Sequence, residues 1–270
     1  MKEVIALVRW ELWQRRWSLV WWAVGVAALI SIDMLLYGSI KNETAQLSQV
    51  YDSLPANARA LFSDSGDFLT PVGYLSARVY YLLLPLLLSI FSIGLGANLL
   101  GREEQQGTLE MLLARPISRA KLLFSKLLAG SLALGWLAFT ALVIAWACLR
   151  ASGFSEISYG AVAIATLAAI LLAALFGMIA FAFTALGKPA RSAALGIASL
   201  FAFMGYIVAS LESTIHWLSW PSKLLPYHYY QPSSILDGTG HPVGNIAGFC
   251  VVIAVLAVVS WYGFRGRDIS

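Results

Sequence analysis

Six stretches of this chain run apolar for about twenty residues or longer, with short polar segments between them: Trp17–Tyr37, Tyr80–Leu100, Leu122–Leu149, Ala161–Gly187, Ser192–Leu211 and Ile246–Phe264. About 20 apolar residues in a helix cross a hydrocarbon core roughly 30 Å thick. Within each stretch the apolar residues are continuous rather than alternating, which excludes the strands of a transmembrane barrel. The pattern predicts six membrane-spanning helices and an all-α integral membrane protein. The polar segments are too short for a separate soluble domain, so residues 1–270 read as a single transmembrane domain.

The segments between the spans have patterns of their own. In residues 1–16, Val4, Leu7, Trp10 and, one turn on, Leu12 and Trp13 recur near helical spacing with charges between them. This predicts a helix lying in the membrane interface; the other reading is a helical extension of the first span. That first span is too long for the core of a signal peptide and no cleavage site follows it, so it reads as a retained anchor. In the loop Gly38–Ala77, Leu54-Pro55, Ala58, Leu61 and Phe62 suggest a short surface helix with Pro55 in its first turn. Residues 213–244 hold Trp217, Trp220, Tyr227, Tyr229 and Tyr230 among Pro221, Pro226, Pro232 and Pro242. Prolines forbid one continuous helix and aromatics favour the headgroup layer. Short re-entrant helices are expected there, with an aromatic-rich loop as the alternative. Span four is dense in small residues (Ala165, Ala168, Ala169, Ala173, Ala174, Gly177), and span two has Gly94 and Gly96. Small residues allow close helix approach, either within the bundle or against another subunit.

Charge sets the orientation. Only 12% of the residues are charged, against about 25% in soluble domains. Lys2, Arg9, Arg15, Arg16, Arg102, Arg115, Arg119, Lys121, Lys126, Lys188, Arg191, Arg265 and Arg267 fall on one side of the spans, and Lys41, Arg59, Arg78, Arg150 and Lys223 on the other. The rule that cytoplasmic loops collect Lys and Arg puts both termini and the 101–121 loop in the cytoplasm; a multi-pass protein of the cell membrane is expected.

Candidate chemistry is sparse. Cys148 and Cys250 sit inside apolar spans and form no disulfide framework or metal cluster. His216, His228 and His241 match no helical metal pair and read as interfacial histidines. The Asn42-Glu43-Thr44 sequon is a chance-level match, and no G-x-x-x-x-G-K-[ST] is present to cradle nucleotide phosphates. No catalytic residue, no metal site and no nucleic-acid partner is expected. Ionisable residues at mid-membrane mark function, yet spans two, four, five and six have none at their middles. Asp33, a turn from the outer end of span one, and Lys126, a turn inside span three, are placed to snorkel or to face an aqueous vestibule. Ion-coupled carriers use midplane carboxylates or broken helices, so any transport energy is expected to come from outside this chain.

The exception to this oiliness is Gly101–Lys126, GREEQQGTLEMLLARPISRAKLLFSK. Gly107 interrupts the helix leaving span two. Thr108–Ala114 offers Leu109, Leu112 and Leu113 on about two turns, and Pro116 biases Arg115 away from helical geometry. Ser118 is a candidate N-cap for the helix entering span three. A short transverse helix with a leucine face and a mixed-charge rim suits a groove on another protein; the other reading is a solvated loop that satisfies the positive-inside rule. The run E-E-x-x-G-T-L-E-x-L-L-A-x-P-I-S-R, followed by Lys126, resembles the cytoplasmic loop of ABC-2 type transporter permeases. The likeness extends to the basic helix before span one, the six spans, Leu54-Pro55 with Pro71-Val72-Gly73-Tyr74-Leu75, and the Pro/Tyr-rich stretch before span six.

That resemblance implies the permease subunit of an ABC exporter, moving an amphipathic or hydrophobic substrate outward. It implies a second permease, identical or paralogous, and two cytoplasmic ATPase subunits that bind ATP and Mg, while this chain binds no cofactor itself. Gly107–Arg119 would be a coupling helix, with Glu103, Glu104, Gly107, Leu109, Glu110, Leu113, Arg115, Pro116 and Arg119 as the ATPase-coupling residues. The segment before span six would roof the translocation path. Two other classes stand beside this one: an ATP-independent carrier or channel lined by Ser, Thr and Gly, and a membrane enzyme or assembly factor using the outer histidines and tyrosines.

Overall fold

The computed structural model describes residues 2–40, 55, 70–108, 118–154, 156–187 and 191–266. These residues are helical throughout their ordered elements, and six helices are long and apolar enough to cross a membrane. Span one runs Arg16–Ile40, span two Pro71–Gln105, span three Arg119–Ala151, span four Tyr159–Leu186, span five Arg191–Leu211 and span six Val243–Arg265. The surface helix expected near Leu54–Phe62 falls outside the described residues.

The N-terminal helix, Lys2–Gln14, is separate from span one. The ladder breaks at Arg15, whose N–H reaches back only three residues to the Leu12 carbonyl, 3.2 Å away. The helix then packs along span three, burying Val8 and Glu11 while Trp10 and Trp13 stay exposed. A helical extension of span one is therefore not what forms.

Span two begins at Pro71, well before the expected Tyr80. Thr70 caps it, its Oγ1 accepting from the Gly73 N–H at 3.0 Å, and Pro71 takes the first turn where a missing N–H does no harm. Leu75–Leu83 then widens into a π-helix. Pro85, just beyond, has no N–H to donate and its ring crowds the preceding turn; the widened turns lie immediately before it and relieve that crowding.

Spans two and four form the centre of the bundle. Their most apolar windows are 61% and 56% buried, against 11–39% in the other four. Glycine decides this pairing. A Cβ on Gly96 would lie 2.1 Å from the Gly177 carbonyl oxygen, and one on Gly177 2.8 Å from that of Ser92. Ala165, Ala168, Ala169 and Ala173 are buried within the chain, so this small-residue face of span four serves internal packing.

Short helices do occupy the stretch before span six: His216–Leu218, Ser219–Ser222, Pro226–Tyr229 and Pro232–Leu236. Pro226 and Pro232 each open one, as the fixed φ of proline favours. They fold back on spans four and five and bury Tyr227 and Tyr230, where an aromatic-rich loop would leave them out.

Candidate functional site

The charged residues converge on the face that carries both termini. Span two leaves the bundle through Arg102-Glu103-Glu104 and stops at Gly107, which has φ +65°. A left-handed residue after a helix favours glycine; the Gly107 N–H bonds the Glu104 carbonyl at 3.1 Å. Thr108 folds back, its hydroxyl donating to the Glu103 carbonyl at 3.2 Å. Across the gap in sequence, Ser118 has extended backbone and its Oγ accepts from the Lys121 N–H at 3.3 Å, starting span three at Arg119.

Between these two ends lies a buried ion cluster. Lys126 Nζ, from the first turns of span three, donates to Glu11 Oε2 at 2.6 Å and also to Glu103 Oε1. Arg15 closes on the other oxygen of Glu11, with Nε and Nη2 at 2.9 and 2.7 Å. Burial alone would push the Glu11 carboxyl up, but Lys126 and then Arg15 hold it below the ordinary value. Two carboxylates thus share one ammonium, and three elements are joined: the N-terminal helix, span two and span three. Next to them a cavity of about 220 Å³ is lined by Trp10, Gln14, Asn98, Arg102 and the cluster itself.

Further ties bring in the ends of spans five and six. Lys121 pairs with Glu3 at 3.0 Å, lowering that exposed carboxyl. Arg119 donates to the carbonyls of Phe264 and Arg265, the latter at 3.2 Å, so the start of span three holds the end of span six. Arg191, opening span five, donates to Gln105 Oε1 at 3.2 Å.

Of the residues expected to couple to a partner, Glu103, Gly107 and Arg119 are brought into this junction, and Glu104 lies exposed beside it. Leu109, Glu110, Leu113, Arg115 and Pro116, with the transverse helix, lie outside the described residues. Sequence reasoning missed Glu11, Arg15 and Arg191. The Glu11/Arg15 spacing of four on a helix was the one available signal.

Two clusters sit on the opposite face. Asp33 is 3% exposed, and Arg78 grips its Oδ1 through Nε and Nη2 at 3.1 and 2.8 Å. Lys126 is 5% exposed. Both intramembrane-edge charges are therefore buried and paired, and neither snorkels. His228 Nδ1 lies 2.8 Å from Glu212 Oε2 and 2.9 Å from Ser222 Oγ, which also bonds Glu212. The trio ties Glu212, just beyond span five, to the short helices. Among the described residues no cluster of three or more His, Cys, Asp or Glu could hold a metal ion.

Among curated proteins no match was found for this sequence. A family profile described as ABC-2 family transporter protein matches residues 5–269. With nearly the whole length covered, the chain belongs to the ABC-2 family of transporter proteins.

Proposed function

We propose that this chain is the permease of an exporter, driven by ATP hydrolysis in separate nucleotide-binding subunits and moving an amphipathic or hydrophobic substrate outward. Family membership makes it a membrane permease component of an ABC transporter. The reading goes further in four ways: the face of the termini is cytoplasmic, the membrane is the cell membrane, two ATPase subunits and a second permease complete the assembly, and the short helices before span six roof its path.

One observation carries the proposal. The ends of spans two, three, five and six and the N-terminal helix are cross-tied at the two flanks of residues 109–117. A force applied to that segment from outside would therefore reach every one of those helices through short polar contacts rather than through a soft loop. Glu104 and Arg119 present opposite charges at the two flanks, suited to a partner with a mixed-charge groove.

The test is co-purification with the cognate ATPase. Glu104→Lys combined with Arg119→Glu is expected to abolish ATPase capture while membrane insertion is retained. Capture at the wild-type level would overturn this assignment of the junction.

A further inference from the structure

On the face opposite the termini, two cavities lie side by side and share part of their lining. One, of about 410 Å³, is apolar and lies between spans four, five and six, walled by Leu175, Ile179, Phe201, Gly248, Val252 and Leu256. The other, of about 320 Å³, is polar and lies toward the short helices, with Gln231, Ser234, Thr239 and His241 around it. Tyr229, Asn245 and Phe249 line both. The lining they share is held in place, because the Asn245 side-chain amide donates to the Tyr229 carbonyl at 2.9 Å and Phe249 is buried.

Span six leaves the apolar chamber open on purpose-shaped backbone. A Cβ on Gly244 or on Gly248 would meet nothing within 4 Å, so neither glycine serves packing within this chain. Leu224 and Val252 stand exposed at the cavity's edge, so the cavity opens on the flank of the bundle. Each chamber falls within the 300–1,000 Å³ typical of small-molecule sites.

The head chamber selects by what it lacks. Among the described residues lining either cavity there is no Asp, Glu, Lys or Arg. A charged head seated here would find no ionic partner among those lining residues. Amide and hydroxyl side chains both give and accept hydrogen bonds, which matches hydroxyl groups.

We propose that the two cavities are one site for an amphipath with an uncharged, hydroxyl-bearing head, entering laterally from the leaflet on this face, with its chain between spans four and six. It rests on the reading above only in taking that face as outer.

The test uses the full chain alone in phosphatidylcholine nanodiscs, with a dodecyl glucoside carrying a diazirine in its chain. Illumination is expected to label peptides of spans four and six saturably. Unlabelled dodecyl glucoside should compete, and dodecyl sulfate or dodecyl trimethylammonium should compete at least about tenfold less well. Gly248→Phe fills the chain chamber and should abolish labelling; Val252→Trp, at the cavity's open edge, is a second blocking variant. Gln231→Leu with Thr239→Val should keep labelling but lose the preference for the glucoside. Only variants with wild-type thermal midpoints are scored. Equal competition by all three heads, or undiminished labelling in both blocking variants, would overturn the proposal. So would efficient disulfide formation between two Gly248→Cys chains, which would show a helix packed on the glycine ridge instead. No ATPase takes part, so failure here and failure of ATPase capture are separate results.

Discussion

Lys126 shows how one residue changes meaning between sequence and structure. Its position a turn inside span three is plain from the hydrophobic pattern, but its partners are not. Glu103 lies across a helix packing, and Glu11 reaches it only because the chain turns at Arg15, where no proline or glycine announces a break. Removing one member of a buried ion cluster leaves its partners uncompensated, at about 3–5 kcal/mol. Lys126→Met is therefore expected to lower the thermal midpoint of the detergent-purified chain well below that of Lys121→Met, whose pair with Glu3 is exposed and screened by solvent. Equal midpoints would show that the cluster carries no stability. The pH dependence has a definite sign. Lys126 and Arg15 hold Glu11 below its ordinary value of 4.5. A depressed carboxyl adds stability that is complete above the unfolded value and is lost as pH falls through the folded one. Its contribution to the midpoint should thus be flat from neutral pH down to about that value and fall below it. Glu11→Gln should be less stable at neutral pH, with a shallower acid decline.

At the scale of the helix, small residues were visible in the sequence but their duties were not. Gly94 and Gly96 stand two apart in span two and look alike as letters. A Cβ on Gly94 meets nothing within 4 Å, whereas one on Gly96 runs into the backbone of span four at Gly177. Inserting a methyl into such a contact typically costs about 1–3 kcal/mol. Gly96→Ala and Gly177→Ala are expected to lower the midpoint by that order, and Gly94→Ala to leave it unchanged or raise it slightly, because alanine favours helix. Loss in Gly94→Ala equal to that in Gly96→Ala would refute the assigned contact. The six spans were legible because a hydrocarbon core demands long apolar runs. The early start of span two was not. Thr70, Pro71 and Gly73 fall in the Gly38–Ala77 loop by hydrophobic pattern, and the cap geometry and the π-helical turns ahead of Pro85 make them helix. Ser118 was legible as a cap, since that role depends on one side chain and its own backbone.

Taken as a whole, the molecule is organised around span two, which reaches from the ion cluster to the opposite face. There the π-helical segment spreads its hydroxyls over separate elements. Tyr80 bonds Thr166 of span four at 3.1 Å, Tyr81 bonds Ser210 of span five at 2.8 Å, and the Tyr230 hydroxyl donates to the Tyr80 carbonyl. Arg78 adds the tie to Asp33 of span one. Buried hydroxyl pairs of this kind are directional, and π-helical turns within helices are frequent at functional positions. A displacement of span two at the junction would then be delivered to spans one, four and five and to the short helices together. Coupling of this kind needs evidence beyond spatial continuity, and a reporter on the far face provides it. Trp217 is exposed there. In a Cys148→Ala, Cys250→Ala background, Trp217→Cys is expected to change its rate of modification by a membrane-impermeant maleimide when ATP is added to the assembled transporter. Tyr81→Phe with Tyr80→Phe removes the hydroxyl ties to spans four and five and should reduce that change while ATPase capture stays intact, since the junction is untouched. An ATP response unaltered by both substitutions would mean that the hydroxyl ties from span two to spans four and five carry none of the motion.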